Sequence, residues 1–149
     1  LIILIFLLTS NKLLSDELIL VCEFVIKETV TKGSKTKTIN KEKAGLLELR
    51  KEYFVIDLKN QKLKETSYFF DTEKDSDIDD IKIYNLDEMI LMRYEKKSSK
   101  LGNSIYKLSV SKITGQLKVF EGYSSSEDKL QYAVNKLYDC KKRNNLKLF

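Results

Sequence analysis

Residues 18–30 read Leu-Ile-Leu-Val-Cys-Glu-Phe-Val-Ile-Lys-Glu-Thr-Val. β-Branched and aromatic side chains dominate this run, and no helix cap precedes it. It therefore reads as a β-strand, with Leu18, Leu20, Cys22, Phe24 and Ile26 expected on one face. Similar runs follow. Tyr53–Leu58 is a strand, Lys59-Asn60-Gln61-Lys62 a turn, and Leu63–Asp71 a return to extended chain. Ile81–Tyr84 and Met89–Glu95 form a hairpin across residues 85–88. Ser104–Val110 and Gln116–Glu121 flank Ile113-Thr114-Gly115, a good hairpin turn. Turn residues recurring at intervals of about eight to twelve predict a mainly β fold, a small antiparallel barrel or sandwich built as a meander.

Three segments are less regular. Thr31–Lys43 reads as a lysine-rich polar loop around Gly33, and Ala44–Arg50 is open between a short helix and extended chain. Ser126–Tyr138 begins with serine and acidic residues. Leu130, Val134, Leu137 and Tyr138 then recur at helical spacing, which favours one helix near the C-terminus; the same residues also read as an extended lead-in to the Cys140 strand.

Ahead of the first strand stands Leu1–Leu8, eight apolar residues followed by Thr9-Ser10-Asn11-Lys12. The run is far shorter than the roughly twenty residues of a membrane-crossing helix and matches the apolar region of a secretory signal peptide. Residues 1–15 are accordingly read as a signal peptide whose charged n-region is truncated, cleaved after Ser15 or, alternatively, after Ser10. Residues 16–149 are read as a single β-rich domain. Leu20 and Val21 are not the small residues that lipidation at Cys22 would need, so the mature chain is expected to carry no lipid or transmembrane anchor. In an exported protein Cys22 and Cys140 read as one disulfide tying the first segment to the last. Loop closure over that span stabilises by roughly 4–5 kcal/mol.

Composition narrows the chemistry. The 149 residues include no histidine, no tryptophan, no proline and two cysteines. Histidine-based triads, the common zinc-hydrolase ligand sets and iron–sulfur clusters are excluded on that ground. Formal net charge is +5, but the 27 basic residues include only three arginines, Arg50, Arg93 and Arg143. Specific nucleic-acid readers rely on arginine's planar fork, so no specific nucleic-acid partner is expected. The bias towards lysine matches the codon usage of an AT-rich genome.

Few residues stand out as site candidates. Asp75, Asp77 and Asp79 match the first alternating ligands of an EF-hand loop and are weak candidates for a metal. Asp80 and Leu86, however, occupy the positions where that loop needs glycine and glutamate. Ser109-Val110-Ser111-Lys112 spells S-x-x-K, but a strand places residues three apart on opposite faces. Tyr53, Tyr68, Phe69, Phe70, Tyr84, Tyr94, Tyr106 and Phe120 read as core and cross-strand packing, with a few able to line a ligand cavity. Lys32, Lys35, Lys37, Lys41 and Lys43 form a solvated cluster. No catalytic residue and no cofactor is expected.

The S-x-x-T-G-x-L run at Ser111–Leu117, the Tyr138-Asp139-Cys140-Lys141-Lys142 segment and the closing Phe149 resemble small exported proteins of proteobacteria that carry no assigned activity. The resemblance implies export and a β fold. One early and one late cysteine around a small antiparallel barrel is also similar to periplasmic inhibitors of C-type lysozyme. Here the tryptophan of many members is missing, and Ser98-Ser99-Lys100-Leu101-Gly102 is a poor echo of their inhibitory loop. The expectation is a periplasmic or secreted, non-enzymatic domain that binds an envelope protein or small ligand; the alternative is an inhibitor of a secreted hydrolase.

Overall fold

A computed structural model describes residues 17–32, 36–68, 70, 80–98, 102–125 and 130–143. The strands are β1 (Glu17–Thr31), β2 (Lys37–Asn40), β3 (Glu52–Asp57), β4 (Lys62–Thr66), β5 (Lys82–Asn85), β6 (Met89–Ser98), β7 (Gly102–Ser111), β8 (Gln116–Ser124) and β9 (Leu130–Arg143). Every pairing is antiparallel, in the order β4-β3-β1-β9-β8-β7-β6-β5. The sheet curls into a nearly closed barrel.

The fold is mainly β, as the alternation of the sequence indicates, but it is not a simple meander. β1 lies mid-sheet, with β9 along one side. Its other side is shared by β2, opposite Ile26–Thr29, and β3, opposite Glu17–Cys22. Between β2 and β3 the chain makes a 3-10 turn at Lys41–Lys43 and a short helix, α1 (Leu46–Leu49). β2 falls inside the stretch expected to be loop. Its sequence, Lys-Thr-Ile-Asn, has too little apolar content to announce a strand; its ladder with β1 supplies the order.

Two expectations need correction. Residues 130–138 are not helical: they belong to β9, while residues 126–129 lie outside the described residues. Neighbours on both sides, β1 and β8, offer β9 continuous ladders, and this tertiary pairing overrides a weak helical period. Val134 and Tyr138 turn inwards, whereas Leu137 falls between them and lies opposite Ile26 on the outer face. The second correction concerns Ile26. Leu20, Cys22 and Phe24 do share the interior face, but register shifts between Phe24 and Ile26. This bulge inserts one extra residue and sends Ile26 outwards.

One core fills the barrel. Phe24, Phe54, Ile56, Leu63, Ile83, Ile90, Met92, Leu108, Val110, Leu117 and Val119 are buried together, joined by Tyr68, Phe70, Tyr94, Tyr106 and Tyr138. Edge-to-face contacts link Phe70 to Tyr94 and Tyr106 at 6.2 and 5.8 Å.

The Thr114-Gly115 turn joins β7 to β8. Gly115 has φ of 72°, donates to the Ser111 carbonyl at 2.9 Å and accepts from the Cys140 amide at 2.9 Å. A Cβ here would lie 2.8 Å from the Cys140 carbonyl oxygen. Gly115→Ala is therefore expected to cost about 1–3 kcal/mol, from left-handed backbone strain and the displaced β9 backbone. Urea denaturation checks this, and a midpoint equal to that of the parent chain would contradict it.

Candidate functional site

The alternation that makes β8 a strand also aims a charge inwards. Leu117, Val119, Glu121 and Tyr123 share one face, and Glu121 is 7% exposed among apolar neighbours. A buried carboxylate must be paired. Lys136 of β9 provides the pair, its Nζ 2.6 Å from Glu121 Oε1. The Tyr68 hydroxyl, arriving from beyond β4, donates to the same oxygen. Lys136 Nζ also lies 3.3 Å from that hydroxyl and 5.2 Å from the centre of the Tyr68 ring.

A second ion pair stands beside the first. Lys27 of β1 is directly opposite Lys136 in the ladder, and like charges so placed repel. Each lysine turns to its own carboxylate. Lys27 meets Glu48 of α1 at 3.5 Å, and Lys136 meets Glu121. Glu48 also accepts from the Gly45 amide at 3.2 Å, which fixes the start of α1. Gly45 sits just outside the helix as its cap, which is why a glycine in this segment does not prevent it. A third carboxylate, Glu52, accepts from the Ser67 hydroxyl at 2.5 Å and faces Arg50 at 3.5 Å.

These groups line an open cleft of about 570 Å³. Phe24, Tyr68, Tyr106 and Tyr138 form its buried wall, and Leu47 of α1 stands at its rim, 85% exposed. Tyr123 and Tyr132 stack at the mouth, ring centres 4.3 Å apart. The Tyr106 and Tyr123 hydroxyls are 3.3 Å apart.

The electrostatics follow from this packing. Burial, then the Glu121 charge and hydrogen bond, push the Tyr68 phenol far above its ordinary value. Burial and the Tyr106 hydroxyl do the same to Tyr123, and burial raises Tyr138. All three remain protonated donors at physiological pH. Among the described residues, no buried side-chain polar atom is without a hydrogen-bond partner.

No family model matches the chain, and no curated protein or solved structure matches it. The cleft must be read from its own chemistry.

Of the residues singled out in the sequence, Cys22 and Cys140 come together. They are directly opposite on β1 and β9, disulfide-bonded, with Cα atoms 3.9 Å apart. Asp75, Asp77 and Asp79 lie outside the described residues. Among the described residues no group of three acidic or cysteine side chains could hold a metal ion. Ser109 and Lys112 do not form a catalytic pair: Ser109 belongs to β7, while the Lys112 ammonium, in the turn beyond it, donates to the Leu86 carbonyl. Of the lysine cluster, Lys32, Lys37, Lys41 and Lys43 are exposed, and Lys35 lies outside the described residues. No helix among the described residues is long and apolar enough to cross a membrane.

Glu48 gives this site a pH dependence. Its carboxyl is held below the ordinary value of 4.5, first by the amide of its own residue, with partial burial opposing, and then by Lys27. An acid depressed in the folded state stabilises above its unfolded value and loses that contribution as pH falls through the folded one. The attachment of α1 is thus expected to be complete above about pH 5 and to loosen at lower pH. The Leu49 amide, which donates to Gly45 at 3.1 Å, should then exchange faster relative to core amides. A ratio independent of pH would refute the assignment.

Proposed function

We propose that this chain is an exported, non-enzymatic binding domain of the cell envelope, taking an envelope protein segment or small ligand in the cleft beneath α1. The observation that carries this reading is the cleft itself. Tyrosine rings wall it, hydroxyls and charged groups converge in it, and stacked Tyr123 and Tyr132 stand open at its mouth. Binding sites of this size combine apolar walls with a few placed polar groups.

Support for a binding role comes from how the acids are used. Glu121 is engaged by Lys136 and Tyr68, Glu48 by Lys27 and Gly45, and Glu52 by Ser67 and Arg50. A carboxylate so occupied is placed to orient a ligand rather than to shuttle protons. Support for export comes from Leu1–Leu8 and from the Cys22–Cys140 bridge, a bond that persists in oxidising compartments.

The test is to produce the protein in a bacterial host with a complete leader and take its intact mass from the envelope fraction, alkylated without reductant. Cleavage near residue 15 with no alkyl group added is the expected result. A full-length chain taking up two alkyl groups would overturn export. Native mass spectrometry of the same material reads ligand retention, which Tyr132→Ala should abolish while leaving the disulfide intact. Titration against C-type lysozyme addresses the inhibitor reading: loss of lysozyme activity at equimolar protein would favour it over a passive binding domain.

A further inference from the structure

The sheet carries a second concavity, about 700 Å³, on its outer side. Tyr84, Leu91, Ser109, Lys118, Leu137 and Ile26 lie opposite one another in turn, from β5 across to β1. The row crosses five inter-strand steps, roughly 24 Å. The neighbouring row places Arg93, Lys107, Phe120, Asn135 and Glu28 in succession.

Outward positions of an antiparallel sheet are ordinarily polar, yet here Ile26, Leu137 and Phe120 form a continuous apolar floor. The bulge in β1 is what brings Ile26 to this face. Beside the floor stand Lys107 and Lys118, diagonal neighbours on β7 and β8. At that spacing, about 7–8 Å, their two ammonium groups can reach one anion. Lys107 lies 5.9 Å from the centre of the Phe120 ring, and neither lysine meets a carboxylate among the described residues. Arg93, by contrast, is paired with Glu95.

We propose that this outer groove binds a free fatty carboxylate as a monomer, its chain along Phe120, Leu137 and Ile26 and its head between Lys107 and Lys118. Glu28, the carboxylate that lines the groove, stands on β1, away from the β7–β8 end where Lys107 and Lys118 lie, so charge complementarity at that end favours an anion. The arginine lining the groove, Arg93, is occupied by Glu95, so the anionic head rests on two lysine ammonium groups acting as point charges, which one carboxylate can share. Concavity selects a single chain over a bilayer, which would need a protruding apolar surface instead.

The full chain, disulfide intact, is titrated with cis-parinarate below its micelle concentration, and the bound probe is displaced with palmitate. One-site, saturable binding in the micromolar range is expected, with uncharged palmitamide a much weaker competitor. Lys107→Glu/Lys118→Glu should weaken binding at least about tenfold with an unchanged urea midpoint, because both side chains are on the surface. Leu137→Gln should weaken it as well. Absence of saturable binding, or equal competition by palmitamide, would overturn the proposal. So would association with anionic phospholipid vesicles alone, or binding lost in Tyr132→Ala but kept in the groove variants, which would place the ligand in the cleft.

Discussion

Reducing the Cys22–Cys140 bridge, or replacing both cysteines with alanine, is expected to cost about 5 kcal/mol of folding free energy. The bridge spans 118 positions, and closing so long a loop removes that much entropy from the unfolded chain. Domains of this size hold only about 5–15 kcal/mol in total, so the loss is a third or more of the whole. With a urea dependence of about 1–3 kcal/mol per molar, the midpoint should fall by roughly 2–5 M. Cys22 is fully buried, so the alanine pair adds a small packing loss that reduction alone does not. Comparing the two separates the covalent contribution from the steric one. A reduced chain unfolding within about 0.5 M of the oxidised one would show that the long β1–β9 ladder already holds the ends together in the denatured ensemble.

Lys136→Met should have the next largest effect. The Glu121 side chain is 9% exposed and loses its counter-ion, keeping only the Tyr68 hydroxyl. An uncompensated carboxylate at that depth costs about 3–5 kcal/mol. The double variant Lys136→Met/Glu121→Gln removes the charge while leaving Tyr68 an acceptor, and it should recover to within about 1 kcal/mol of the parent. A double-mutant cycle in urea provides the measurement. Additive losses would mean that the two side chains do not act as a pair.

Much of the barrel could be read from alternation alone. Tyr53–Leu58, Ile81–Tyr84, Met89–Glu95, Ser104–Val110 and Gln116–Glu121 fall on strands to within one residue, because each buries one face and the turn residues between them are distinct. What escaped depends on partners far along the chain. Nothing local to Phe24-Val25-Ile26 announces a bulge, which arises where β1 must match β9. Leu130 to Tyr138 has a pattern compatible with both periods, and only the neighbouring ladders decide between them. The cleft was legible in one respect: Glu121 keeps phase with Leu117 and Val119, so it had to point inwards. Its partners Lys136 and Tyr68 are 15 and 53 positions away, and no spacing rule connects them.

The position of β9 governs the order in which this chain can become a protein. In the sheet, β4-β3-β1 lies on one side of β9 and β8-β7-β6-β5 on the other, so the last of the described strands is the joint between them. Until it arrives there are two open half-sheets, each with an apolar face and an unpaired edge exposed to its surroundings. Assembly must therefore wait for a contact between β1 and β9, strands far apart in sequence, which is a slow kind of encounter for a polymer. A chain built this way stays open until β9 has been made and locks in one step when that strand joins the two halves.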